Sequence, residues 1–91
     1  MGVSVRVPTI LRPYTKGVSE VSVEGATLSE VLESLDSSYP GIKSRVLDDS
    51  GELRRFVNVY VDNDDVRFAD GLQTGIKDGG QVSIIPAVAG G

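Results

Sequence analysis

Ninety-one residues, 40% of them apolar and 24% charged, suffice for one domain with a single modest core and are too few for two. A formal net charge of −4 argues against nucleic acid or an anionic membrane as partner, since both select clustered Lys and Arg, and suits docking on a basic protein surface. With no His and no Cys, the chain lacks the side chains most used as neutral-pH bases, soft metal ligands and thiol nucleophiles, and the missing thiols fit a cytoplasmic address.

No apolar run approaches the ~18 residues that a membrane span needs. The start Met1-Gly2-Val3-Ser4-Val5-Arg6 is short, alternating and charged, unlike a signal peptide, and strand-like residues after Gly2 argue against myristoylation. Val3, Val5 and Val7 alternate with Ser4 and Arg6, the period of a half-buried strand, and Pro8 ends it. The stretch from Thr9 to Gly17, with Pro13 inside it, reads as a loop. Val21 and Val23 mark a second strand, hairpin-paired to the first, with Gly25 as punctuation.

Thr27-Leu28-Ser29-Glu30 has the Thr-x-x-Glu spacing of a capping box, in which each side chain satisfies an orphan backbone donor near the other. Behind it Leu28, Val31, Leu32 and Leu35 fall at i, i+3, i+4 and i+7, one apolar stripe of a helix. Tyr39-Pro40-Gly41 stops that helix, and Ile42, Val46 and Leu47 give one more short turn before the Asp48-Asp49-Ser50-Gly51 loop. Phe56-Val57-Asn58-Val59-Tyr60-Val61 sets its valines on one face, turns through Asp62-Asn63-Asp64-Asp65 and returns as Val66-Arg67-Phe68. Gly71 to Ile76 reads as a short helical turn over a core edge, and Lys77-Asp78-Gly79-Gly80 as a tight turn into a buried strand, Gln81 to Ile85. The order is strand, strand, helix, strand, strand, strand. An α+β domain with one main helix across a mixed sheet of four to five strands is the β-grasp arrangement, the architecture of ubiquitin.

The expected division is a β-grasp domain over 1–85 and a flexible tail over 86–91, Pro86-Ala87-Val88-Ala89-Gly90-Gly91. Two terminal glycines lack Cβ and can enter a channel too narrow for any other residue. Six extended residues place the carboxylate up to roughly 20 Å beyond the strand. No catalytic constellation accompanies the tail: there is no Gly-x-Ser-x-Gly elbow, no Ser-x-x-Lys and no phosphate loop. Counted as a calcium loop from Asp62, the fifth, sixth and twelfth positions are Val66, Arg67 and Gln73, where an oxygen ligand, Gly and Glu are required. The expected role is therefore not that of an enzyme, with no metal and no cofactor bound.

Phe56-Val57-Asn58-Val59-Tyr60-Val61-Asp62, Asp65-Val66-Arg67-Phe68 and Val82-Ser83-Ile84-Ile85-Pro86-Ala87-Val88-Ala89-Gly90-Gly91 resemble the bacterial ubiquitin-like sulfur carriers of molybdopterin, thiamine and cysteine biosynthesis. Val7-Pro8-Thr9-Ile10-Leu11-Arg12 and the terminal block are most similar to the actinobacterial CysO type. Gly80 departs from the acid that many relatives carry after the Asp-Gly turn.

The resemblance implies that a ubiquitin-activating type of adenylating enzyme uses ATP to turn the Gly91 carboxylate into an acyl-adenylate. A sulfur donor then converts that species to a thiocarboxylate. Gly90, Ala89 and Val88 would thread the tail into partner sites, with Phe56 and Tyr60 as the docking surface. The implied acceptor is an enzyme of the pyridoxal-phosphate cysteine synthase type or a thiazole- or thiosugar-forming enzyme, followed in the cysteine pathway by a JAMM-type metalloprotease. The alternative is a protein modifier joined through Gly91 to lysine.

Overall fold

The computed structural model describes residues 2–86. Its strands are β1 (Val3–Arg6), β2 (Glu20–Val23), β3 (Val57–Val61), β4 (Asp64–Asp65) and β5 (Gln81–Pro86), and its helices α1 (Leu28–Ser38) and α2 (Lys43–Val46). They form one mixed sheet in the order β2-β1-β5-β3-β4. β1 and β5 are parallel and central, with Val5 opposite Val82 and Arg6 opposite Ser83, while every other pairing is antiparallel. Alternation along the strands sends Val3, Val5, Val21, Val23, Val59, Val61, Val82 and Ile84 into one core with α1. This is the β-grasp arrangement expected from the order of elements.

The α1 stripe is fully buried: Leu28, Val31, Leu32 and Leu35 are each 0% exposed. Burying such side chains contributes about 1.5–3 kcal/mol each, which stabilises a helix of 11 residues that would be marginal alone. Thr27 Oγ1 accepts from the Glu30 amide at 3.2 Å. The return bond runs from the Ala26 amide to Glu30 Oε1 at 2.8 Å, one residue outside the usual capping box. That shift follows from the neighbourhood, because the Ala26 carbonyl accepts from the Ile76 amide at 2.8 Å and draws the entry of the helix onto the segment before β5. At the other end Asp36 Oδ1 accepts from the Gly41 and Lys43 amides at 3.0 and 3.1 Å, so α1 caps the start of α2.

The structure corrects three readings. The segment expected to be a loop before β2 winds into a 3-10 helix, Thr9–Thr15, because Leu11 and Thr15 both turn inward. Thr15 is fully buried, and its hydroxyl donates to the Val18 carbonyl at 2.7 Å. Val66-Arg67-Phe68 is a second 3-10 helix rather than a strand, capped by Asp65, whose carboxylate accepts from the Arg67 amide at 2.9 Å. The strand in that place is the two-residue β4, reached through Asp62 (φ 50) and Asn63 (φ 78), the two left-handed residues of a type I′ hairpin. β5 runs through Pro86, one residue past the expected end, and Ile85 is 48% exposed rather than buried.

Gly80 owes its identity to close approach. A Cβ there would stand 2.9 Å from the Lys77 carbonyl oxygen and 3.0 Å from Ile76 Cγ2. Gly80→Ala should therefore destabilise the fold by about 1–3 kcal/mol, as overpacking does. Thr27→Ala should cost about 0.5–2 kcal/mol. Urea denaturation of both variants checks these values, and a wild-type midpoint in either would remove the assigned role.

Candidate functional site

Of the residues singled out from sequence, Gly91, Gly90, Ala89 and Val88 lie outside the described residues. What the structure describes is the root from which they continue. Pro86 ends β5 opposite Val57, the first residue of β3, and Ile85 lies opposite Asn58. β5 is hydrogen-bonded on both sides, by β1 and by β3. The pairing with β1 ends at Ser83, and β3 alone holds Ile85 and Pro86, so the root is anchored through β3.

Around the root the sheet shows its face opposite α1. Ser83 sits between Tyr60 on β3 and Arg6 on β1, all three pointing outward by alternation. Tyr60 is half-buried there, whereas Phe56 precedes β3 and is 53% exposed. The two candidate docking residues thus sit differently, Tyr60 within the sheet face and Phe56 at its rim. Beside them a groove of about 580 Å³ is lined by Arg6, Pro8, Ile10, Arg12, Ser83 and Ile85.

Arg67 links the neighbouring 3-10 helix to this end. Its Nη1 donates to Asn58 Oδ1 at 2.8 Å and its Nη2 to the Arg54 carbonyl at 2.6 Å. Arg54 is bound in turn, its Nε donating to the Ser44 carbonyl at 3.0 Å. These bonds pin the approach to β3, whose first residue Val57 lies opposite Pro86.

Sequence reasoning missed several exposed apolar residues. Phe68 is 91% exposed, Ile10 64% and Ile85 48%. Ile85 was detectable: in Val82-Ser83-Ile84-Ile85 it is the apolar residue at an outward position, where alternation calls for a polar one. Phe68 was concealed by the expectation of a strand. The arginines carried no local signal, because they come from five separate segments of the chain.

Among the described residues no group of three or more Asp, Glu, His or Cys side chains could hold a metal ion. None of the described helices is long and apolar enough to cross a membrane. The arrangement presents a chain end from a rigid root surrounded by apolar and cationic side chains. Chemically, that is a display.

Comparison with known proteins gives this display a context. The model of the ThiS family matches residues 5–91, terminal glycines included. The chain is 54% identical over 93 aligned positions to the sulfur carrier protein CysO of Mycobacterium tuberculosis, covering 100% of both chains. It superposes with a TM-score of 0.92 and 47% identity on a chain in the crystal structure of the BexX/CysO complex of Amycolatopsis orientalis, covering 98% of this chain and 99% of that one. It is also 41% identical over 68 residues to small archaeal modifier protein 3 of Haloferax volcanii, spanning 75% of this chain and 73% of that one.

Proposed function

The chain belongs to the ThiS family, and on that premise we propose that it carries sulfur as a thiocarboxylate on Gly91. The observation that carries this reading is the full-length similarity to a sulfur carrier protein, in a match to the family that extends through Gly90 and Gly91.

A free carboxylate is ionised at neutral pH and is a poor electrophile. In the proposed cycle, a carboxylate oxygen of Gly91 attacks the α-phosphate of ATP in the site of a ubiquitin-activating type of enzyme, and pyrophosphate leaves. A hydrosulfide equivalent attacks the acyl carbon of the resulting adenylate, AMP leaves, and the thiocarboxylate remains. The chain contributes no catalytic group and holds no cofactor of its own; ATP is bound by the partner. The folded body sets which enzyme docks, with Phe56 and Tyr60 as anchors, while Val88, Ala89 and Gly90 pass Gly91 into the enzyme's site. The acceptor proposed is a pyridoxal-phosphate enzyme of the cysteine synthase type, with a JAMM-type metalloprotease releasing the product; a thiazole- or thiosugar-forming acceptor would use the same loaded chain. The setting is the cytoplasm, where ATP and reduced sulfur are at hand.

A second reading, conjugation of Gly91 to a lysine amine, is favoured by the similarity to small archaeal modifier protein 3. Both readings share the activation step and differ in the nucleophile that ends it.

Phe56→Ala removes an exposed side chain, so its stability should stay within about 0.5 kcal/mol of wild type while its affinity for the adenylating enzyme falls. Tyr60→Ala should lower affinity as well. Calorimetric titration of the folded variants decides the matter, and unaltered affinity in both would place the docking face elsewhere.

Loading is tested by mass spectrometry after incubation with ATP, adenylating enzyme and sulfide. The intact chain should exchange one oxygen for sulfur at Gly91. Deleting Gly91 retracts the carboxyl by up to ~3.6 Å, and appending one residue advances it by a similar step. In a closed site even 1 Å of misplacement costs on the order of 100-fold in rate. Gly90→Val puts a branched side chain into a channel sized for none. All three variants should remain unloaded, and normal loading of the extended chain would overturn the carrier reading.

A further inference from the structure

We propose that the arginines gathered around the root of β5 form the docking surface for an acidic patch on the enzyme that receives Gly91. This net-acidic chain would then meet its partner through its basic end. The inference rests on the carrier reading and adds to it the chemistry of the partner's surface.

All six arginines of the chain, Arg6, Arg12, Arg45, Arg54, Arg55 and Arg67, are tied to this end by position or contact. Arg6 closes β1 opposite Ser83 and lines the groove beside Ile85 together with Arg12. Arg54 and Arg55 lie just before β3, and Arg67 is bonded to Asn58 and to the Arg54 carbonyl. The Arg45 guanidinium stands 5.8 Å from the centroid of the Tyr14 ring, its Nε donating to the Tyr14 hydroxyl at 2.6 Å, in a hollow shared with Ile10 and Arg54.

Part of the acidic charge lies at the opposite end. Asp62, Asp64 and Asp78 occupy the turns at the far end, where Asp62 Oδ1 accepts from the Gln81 amide at 3.0 Å. On the arginine side, Glu20 lies opposite Arg6 and is engaged by the Ser4 hydroxyl at 2.7 Å, Asp65 accepts from the Arg67 amide, and Glu52 stands two residues before Arg54.

Among the described residues none of the six arginines forms an ion pair, and the exposed Arg6 and Arg55 side chains make no hydrogen bond. An exposed arginine without an ion pair adds little to the stability of the fold. Their place in the fold gives them a use. The chain beyond Pro86 is five residues, with a reach of at most roughly 18 Å. An enzyme that holds Gly91 in its site must therefore bring its own surface against this end. Ile10, Phe56 and Ile85, all exposed, supply apolar contact among the cations, the pattern of a docking patch with an apolar centre and a charged rim.

Three single variants test the idea in the loading reaction: R6E, R55E and, at the far turn, K77E. Each changes the net charge by the same amount. R6E and R55E should raise KM for the chain roughly tenfold at low salt, with kcat unchanged, and high salt should narrow the gap by screening. K77E should load like wild type. Equal KM in all three, or equal harm from K77E, would overturn the inference while wild-type loading left the carrier reading standing. Failure of the wild type to load would overturn both. Retention of a DNA duplex at low salt, lost in R55E, would assign the surface to nucleic acid and overturn the inference. So would concentration-dependent self-association that R6E abolishes while loading stays unchanged.

Discussion

The parallel pairing of β1 with β5 is the constraint on which the rest of the structure depends. The first and last strands lie side by side in the middle of the sheet, Val5 against Val82. The β1–β2 and β3–β4 pairs are local, but joining them into one sheet waits until almost the whole chain has closed on itself. Closure over that length has an entropic cost, and it makes the topology slower to form than a set of hairpins. Burial of Val3, Val5, Val82 and Ile84 under α1 offsets it. Once made, the pair is a spine to which β2 is added on one side and β3 with β4 on the other. Bonds from the Ser4 amide to the Gly80 carbonyl and from the Gly79 amide to the Gly2 carbonyl, both 3.0 Å, lock the turn before β5 to the start of the chain.

This spine gives the chain end its mechanical character. A tail leaving an edge strand would share that strand's fraying, and the position of Gly91 would be blurred by the motion of its root. Here β5 is held on both sides up to Ser83 and by β3 alone through Pro86, and β3 is tied in turn into a set of arginine hydrogen bonds. The arginines stand at the end where Pro86 closes β5, with Glu20 among them, while Asp62, Asp64 and Asp78 hold the turns at the other end beside Lys77. Net charge alone pointed to a basic partner surface, which is the reverse of what the basic end of the fold would meet.

Much of the fold was legible because its signals are periodic and local. The valines of β1, β2, β3 and β5 alternate, the α1 stripe repeats at helical spacing, and Thr27 with Glu30 announces the helix start; each rule was obeyed by the packing. Of the three described 3-10 helices, Gly71–Gln73 was expected as a short helical turn, while the other two were illegible for the opposite reason. Three-residue turns leave too short a pattern to count, and Pro13 within Thr9–Thr15 argued for a loop. Val66-Arg67-Phe68 alternates like a strand, yet only Val66 faces the core, because the I′ hairpin is followed at once by the Asp65 cap. The arginine gathering was beyond sequence reading altogether. It is created by tertiary structure from β1, two 3-10 helices, α2 and the approach to β3, and no window of the chain contains it.

The brevity of β4 has a consequence for how this protein behaves in a crowded cell. A sheet with open sides offers unpaired amides and carbonyls along its outermost strands, an invitation for a second molecule to add a strand of its own. On this side the invitation is two residues long, both of them aspartates, and the chain turns away immediately into Val66–Phe68. A copy approaching edge to edge would gain almost no ladder and would bring carboxylate against carboxylate. That border protects a small, strand-rich protein from polymerising with itself along this edge.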